Sequence, residues 1–287
     1  MSSYGALYGR LYFRLSYRLL KIISPEYARK KAVKWVASTY DMSSQADEEF
    51  FALIYLHHIR NNIREVFGDG KISIFDAGCG QGRLSLPLAE DGHRLTGMDF
   101  TPQALETAKK RVAEKQLKIE FIHGDLEKDL ANLRDRKYDC VIATEVLYMV
   151  RNYKSVIREL SSLLVPGGLF ILSLRSRMYY TLHKLMRGEI NEAYHILLKN
   201  ENFINEGSLN CFSIDEIKEM MAENGIRLLN LTGIGVLSGI EGDPQALITR
   251  PSNLPQDERK LLFEMELSAG RAYPENGRYI LVCGTKL

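Results

Sequence analysis

The chain has 287 residues, 45% of them hydrophobic and 26% charged, with 22 glycines and 8 prolines. That composition belongs to an ordinary globular protein and excludes disordered, collagen-like and low-complexity classes. Lys and Arg number 38 against 36 Asp and Glu, a net charge of +2, so no overall basic character marks a nucleic-acid binder and any basic site is local.

Residues 1–34 hold eight basic residues against a single acid, Glu26. Arg10, Arg14, Arg18 and Lys21 share one helical stripe, while Leu11, Leu15 and Leu19 with Tyr8, Tyr12 and Ile22 make an apolar one, so an amphipathic helix is expected. Ser24-Pro25 ends it, and a second helix is expected from Pro25 to about Thr39. These helices either cover the main domain or offer a peripheral basic surface to anionic lipid or an acidic substrate. Arginines interrupt the apolar N-terminus where a signal peptide needs a continuous run, and no apolar stretch approaches the ~18 to 20 residues of a membrane span, so a cytoplasmic location is expected. Cys79, Cys140, Cys211 and Cys283 lie 61, 71 and 72 residues apart, spacings that suit neither a zinc site nor a disulfide framework.

From residue 71 short apolar runs alternate with amphipathic segments, as in a parallel α/β sheet. Strands are expected over 72–76, 94–98, 119–123, 140–144 and 169–174, and two more over 226–231 and 279–283. Thr101-Pro102 predicts a helix start, and Ser213 with Glu216 predicts a capping box whose helix stops at Asn224-Gly225. Pro87 interrupts the first helix after the sheet begins, so that helix either starts late or bends. The chain divides into an N-terminal helical cover, 1–69, and a core, 70–287, with insertions at 175–211 and 237–278 expected to act as lid or pocket wall.

The sharpest signal is Asp76-Ala77-Gly78-Cys79-Gly80-Gln81-Gly82-Arg83. Three glycines between a strand and a helix let a ligand lie against peptide N–H groups. A dinucleotide motif would put its third glycine where Arg83 stands, and no Gly-Lys-Ser or Gly-Lys-Thr follows as in a P-loop. Asp99, in Gly97-Met98-Asp99-Phe100, ends the second strand and can take both hydroxyls of a ribose; Asp125 ends the third and can accept from an exocyclic amine. Three acids at successive strand ends then face one crevice.

At these residues the chain resembles the class I S-adenosylmethionine-dependent methyltransferases of small-molecule type, over roughly residues 70–235 plus the last strand. Asp76 to Gly82 is similar to that family's glycine motif, Asp99 to its ribose acid, Asp125-Leu126 to its adenine-side pair, Tyr138 to Glu145 to its fourth strand, and Pro166-Gly167-Gly168 to its turn before the fifth. The resemblance implies a Rossmann-like seven-stranded α/β sheet in order 3-2-1-4-5-7-6 with the last strand antiparallel. It also implies S-adenosylmethionine as cofactor, S-adenosylhomocysteine as product, and cofactor contacts from Tyr40, Asp76, Gly78, Cys79, Gly80, Gly82, Asp99, Phe100, Asp125, Leu126, Thr144 and Glu145.

The sulfonium makes the methyl reactive already, so no metal is expected and the enzyme's task is to desolvate and align an O, N or C nucleophile of a small molecule. Quinone-type members often carry a Glu-His pair near the fourth helix, whereas this chain reads Glu145-Val146-Leu147-Tyr148. Glu145, Tyr148, His183 and His195 are the candidate catalytic groups. Arg175, Arg177, Lys184, Arg187 and Lys199 with Tyr179, Tyr180 and Tyr194 either suit an anionic or aromatic substrate or form a solvated helical surface, the commoner case. An RNA or protein methyltransferase and an inactive S-adenosylmethionine-binding protein stay open as alternatives, although no Asn-Pro-Pro-Tyr-type sequence and no nucleic-acid module is present.

Overall fold

The computed structural model describes residues 46–199, 203–204, 207–208 and 210–287. The basic helix, the helix expected from Pro25, and Tyr40 lie outside the described residues.

Helix α1 (Ala46–Phe67) precedes β1 (Ser73–Ala77), α2 (Ser85–Glu90), β2 (Arg94–Asp99), α3 (Pro102–Glu114), β3 (Ile119–His123) and β4 (Tyr138–Ala143). Then follow α4 (Tyr153–Ser162), β5 (Leu164–Ser176), α5 (Arg177–Met186), α6 (Ile190–Leu198), and the short strands β6 (Phe203–Ile204), β7 (Gly207–Ser208) and β8 (Cys211–Phe212). The chain closes with α7 (Ile214–Glu223), β9 (Ile226–Ile234), α8 (Gln256–Ala272) and β10 (Tyr279–Lys286).

The sheet runs β3-β2-β1-β4-β5-β10-β9. The first five strands are mutually parallel, and β10 lies antiparallel between β5 and β9. The expected order therefore holds, with one correction: β8 pairs with the end of β5 as an eighth strand, Arg175 opposite Cys211. Two residues are too few to show any periodicity. β5 also starts earlier than expected, taking in Pro166-Gly167-Gly168, where the register with β4 shifts between Tyr138 and Cys140 and a proline disturbs no regular ladder.

Both faces of the sheet are covered, which explains its continuous apolar runs. On one face Phe75, Val141, Phe170 and Val282 pack against Ile157 and Leu160 of α4 and Met221 of α7. On the other Ile74, Ile142, Ile171 and Leu281 pack against Ile54 and Ile59 of α1 and Leu262 of α8. Pro87 falls in the first turn of a helix only six residues long, where a missing N–H breaks no intrahelical bond, so the late start is what occurs. Ser213 and Glu216 form the expected capping box. Thr101 stands at the cap of α3 without a side-chain cap bond; its own N–H donates to Asp99 Oδ1 at 2.8 Å.

The segment after β9 is held by Glu266 of α8, whose carboxylate accepts the N–H groups of Val236, Leu237 and Ser238 and the Ser238 hydroxyl at 2.6 to 3.0 Å. All four cysteines are buried free thiols. No helix among the described residues is long and apolar enough to cross a membrane.

Candidate active site

Gly78 and Cys79 both donate their N–H to the Met98 carbonyl, at 2.7 and 3.1 Å, which ties the glycine loop to the end of β2. Gly80 adopts φ +53°, and a Cβ there would meet nothing within 4 Å. Backbone conformation, not crowding, requires glycine, and the space above the loop is open. Cys79 is buried beneath it, its Sγ 2.8 Å from where a Cβ on Gly97 would lie. Gly82 accepts the N–H of Leu86 at 3.0 Å and so begins the turn into α2.

Asp99 sits in the crevice with Oδ2 accepting the Gly80 N–H at 3.0 Å and Oδ1 accepting that of Thr101. Each oxygen keeps a further lone-pair direction. Burial raises its carboxyl, and the N–H groups of Thr101 and Gly80 pull it back. Asp76, 3% exposed, accepts the Ser85 hydroxyl at 2.5 Å. Burial pushes its carboxyl up to about 6, the Ser85 bond lowers it, and the Asp99 charge raises it. At the end of β3, Asp125 accepts the Glu127 N–H at 3.0 Å and Leu126 is buried. His123 Nε2 donates to the Phe100 carbonyl at 3.1 Å, and Gly124 N–H to the Asp99 carbonyl at 3.1 Å, so the second and third strand ends are fastened together.

Thr144, buried, leads from β4 to Glu145, which has φ +55°. A non-glycine residue in that region stores about 1 to 3 kcal/mol of strain. Two bonds hold it: its N–H donates to Ser173 Oγ at 2.7 Å, and its Oε1 accepts Arg83 Nη2 at 2.8 Å. Arg83 reaches Glu48 of α1 at 3.2 Å with its other nitrogen and lies 5.5 Å from the Tyr55 ring centroid. Burial opposes the charge on Glu145, yet Arg83 and Arg278 hold its carboxyl below the usual range. Arg83 had counted in the sequence only as the residue standing where a third glycine was wanted.

Beside Glu145 lies a cluster of arginine and tyrosine. Arg175 faces Tyr279 across the β5–β10 ladder. Its Cζ is 3.8 Å from the Tyr148 ring centroid, 5.0 Å from Tyr180 and 5.8 Å from Tyr279. The residue is 9% exposed and its Nε has no acceptor. Arg278 lies 5.4 Å over Tyr279 and pairs with Asp243 at 3.2 Å. Glu48, Phe51, Glu145, Ser238, Arg278 and Tyr279 help to line a small cavity here.

The solvated-surface expectation for 175–199 is thus corrected. Tyr179 and Tyr180 are buried, and Lys184 is buried between Glu189, at 2.6 Å, and Glu192. Arg177 pairs with Glu216 of α7 at 2.5 Å. Among the cations and tyrosines named there, Arg187, Tyr194 and Lys199 are exposed. Of the candidate catalytic groups, Glu145 lines the cavity, and Tyr148 is the platform under Arg175. His183 packs edge-on against Tyr180 at 6.2 Å and is lowered by burial and by Arg187 and Lys184; His195 packs against Tyr194 at 5.7 Å. Neither histidine lines the cavity.

A parallel sheet with a glycine cradle and acid at its switch point, and an antiparallel strand inserted beside its last parallel one, defines a Rossmann-like methyltransferase fold. The family model described as Methyltransferase domain matches residues 75–172. The ubiquinone biosynthesis O-methyltransferase of Rickettsia canadensis is 30% identical over 182 residues, covering 63% of this chain and 74% of that relative. The protein of that name from Coxiella burnetii is 26% identical over 187 residues, covering 62% and 75%. Among solved structures, the magnesium protoporphyrin IX methyltransferase of Synechocystis PCC 6803 with bound SAH superposes with TM-score 0.57 at 15% identity, over 93% of this chain and 97% of that one. The chain belongs to the class I S-adenosylmethionine-dependent methyltransferases, and S-adenosylmethionine is its cofactor. The residues present fit that cofactor: the space over Gly80 is open and Asp99 keeps accepting capacity in the crevice.

Proposed function

We propose that the protein methylates a hydroxyl oxygen of a small aromatic molecule, with Glu145 accepting first the hydrogen bond and then the proton of that hydroxyl. The observation that carries this reading is the position of Glu145, an ionised and strained acid between Arg83 of the glycine loop and the Arg278–Tyr279 end of the cavity. The Rickettsia and Coxiella relatives, named as O-methyltransferases, support the choice of oxygen. Tyr279 and Phe51 of the cavity wall support an aromatic ring.

When bound, S-adenosylmethionine supplies an electrophilic methyl on a positively charged sulfur, and in this reading no metal is needed to activate it. Asp99 would hold the ribose hydroxyls, the loop Gly78–Gly82 with Cys79 would take the amino-acid end, and Asp76 would set a negative charge near the ammonium and sulfonium groups. Phe100, Asp125 and Leu126 would hold the adenine side, and Thr144 would complete the cofactor contacts. Of the N-terminal cover 1–69 expected over the core 70–287, α1 supplies Glu48 and Phe51 to the cavity wall, which would keep water from it.

The test is transfer of a labelled methyl from S-adenosylmethionine to a matched panel of phenols, catechols and anilines. Labelled aryl methyl ethers are expected. Transfer confined to the anilines removes the oxygen assignment, and with it the need for a base.

A further inference from the structure

We infer that Arg175 is the anchor for an anionic group of the substrate, a carboxylate borne on its aromatic ring, so that the protein methylates aromatic acids. This rests on the small-molecule reading above and names the substrate class of the same site.

Arg175 is nine-tenths buried, its Nε has no acceptor, and among the described residues no carboxylate lies within 4.0 Å of its guanidinium. The neighbouring charges are already committed. Glu145 and Glu48 both pair with Arg83, at 2.8 and 3.2 Å, and Asp243 pairs with Arg278 at 3.2 Å. Glu48 and Glu145 thus both reach Arg83 and Asp243 reaches Arg278, while among the described residues no acid pairs with Arg175.

What surrounds Arg175 instead is aromatic: Tyr148 stacks on it at 3.8 Å, with Tyr180 and Tyr279 further out. Ring stacking fixes the plane of the guanidinium and leaves its edge, where all five N–H groups lie, for a partner in that plane. A carboxylate matches the edge with two parallel hydrogen bonds. A phosphate monoester brings close to two charges, and Arg278, which also lies over Tyr279, is engaged by Asp243. The tyrosines that hold the guanidinium also supply a wall for the ring that carries the carboxylate. Arg175 ends β5, Tyr148 follows β4, Tyr180 lies on α5 and Tyr279 starts β10, so the anchor and the Glu145 end of the cavity share the Tyr279 wall.

The experiment is calorimetric titration of the full chain, saturated with S-adenosylhomocysteine, with 4-hydroxybenzoate, its neutral isostere 4-hydroxybenzamide, and phenyl phosphate. No methyl is transferred in this assay, so its outcome is separate from that of the transfer panel. The benzoate is expected to bind at least ~10-fold tighter than the amide and tighter than phenyl phosphate, roughly the difference a planar two-bond ion pair makes. Arg175→Met is expected to bring the benzoate-to-amide ratio to about one. Arg175→Lys, which keeps the charge and the fold's cation but not the planar fork, is expected to fall between. Equal affinity of benzoate and amide for the wild type, binding of neither, or a ratio that survives Arg175→Met overturns the anchor. Tighter binding of phenyl phosphate overturns the carboxylate.

Discussion

Replacing Arg83 with methionine tests whether the glycine loop, α1 and the end of β4 are locked by one buried cation. The Arg83 side chain is 15% exposed, Glu48 8% and Glu145 18%. Removing one partner of a buried pair costs about 3 to 5 kcal/mol, because the charges left behind lose compensation in a poorly solvated place. For a chain of this size ~2 °C accompanies each kcal/mol, so Arg83→Met is expected to melt ~6 to 10 °C below the wild type at pH 7.5. The pH dependence carries the sign. In the wild type Glu145 is held below its usual range, so its contribution is present above the ordinary carboxylate value and is lost as pH falls through the lowered one. Without Arg83 only Arg278 and Arg175 still oppose burial, so Glu145 rises from its wild-type position and acidification neutralises the under-compensated charge and relieves the variant. The gap in melting temperature, read by calorimetry from pH 7.5 to pH 5, is therefore expected to shrink. Adding Glu145→Gln to Arg83→Met is expected to restore part of the loss. A deficit under ~2 °C, or a gap that widens on acidification, refutes the reasoning.

Four further outcomes follow from the same geometry. Asp99→Ala is expected to weaken S-adenosylhomocysteine about 100-fold by titration, the loss of roughly 3 kcal/mol in hydrogen bonds to a charged acceptor, and unchanged affinity removes Asp99 from the ribose. Asp76, raised to about 6, is ionised above that pH, so affinity for the cationic cofactor is expected to rise through pH 6 in the wild type and to stay flat in Asp76→Asn; the raised carboxyl's contribution to stability is present at low pH and lost as pH rises through about 6, so Asp76→Asn is also expected to melt higher than the wild type at pH 8. Glu145→Gln is expected to lower kcat by at least ~100-fold while cofactor affinity changes little, the range of a lost general base; a kcat within a few-fold of wild type removes the proton acceptor. Glu266→Ala strips acceptors from the N–H groups of Val236, Leu237 and Ser238 and is expected to cost at least ~3 kcal/mol, visible as a fall of several degrees by calorimetry.

The parts of the molecule legible in the sequence are those whose constraint is local. Gly80 is favoured as glycine by its own φ of +53°, and Ser213 with Glu216 close a capping box within four residues, so both could be read from local sequence. The sheet order came through resemblance to a family, since pairing β10 with β5 joins positions about a hundred residues apart, and with β9 positions 45 to 60 apart, and leaves no periodic trace. Lys184 shows the limit from the other side. As one of several cations on a helical stretch it suggests solvent, and only the turn into α6, which brings Glu189 and Glu192 around it, makes it a buried and paired charge.

The division between legible and illegible has a functional meaning. The family model ends at residue 172, three positions before Arg175, and β5 continues beyond it to Ser176. Asp76, the glycine loop, Asp99 and Asp125, proposed to hold the cofactor, and Glu145, the proposed proton acceptor, all fall inside the matched span. Arg175, Tyr180, Asp243, Arg278 and Tyr279 fall outside it, brought together by β10 returning beside β5 and by the two segments inserted around β9. A sheet whose first half fixes the methyl donor can keep that half unchanged while the second half alters the cavity wall, because the two halves meet only across β4 and β5. The Glu145 N–H crosses that seam to Ser173 Oγ of β5 at 2.7 Å. With Arg175 as the proposed anchor, substrate choice would be carried by residues that no local pattern announces, and a change of acceptor specificity is to be sought at 175, 180, 278 and 279 before any position of the glycine loop.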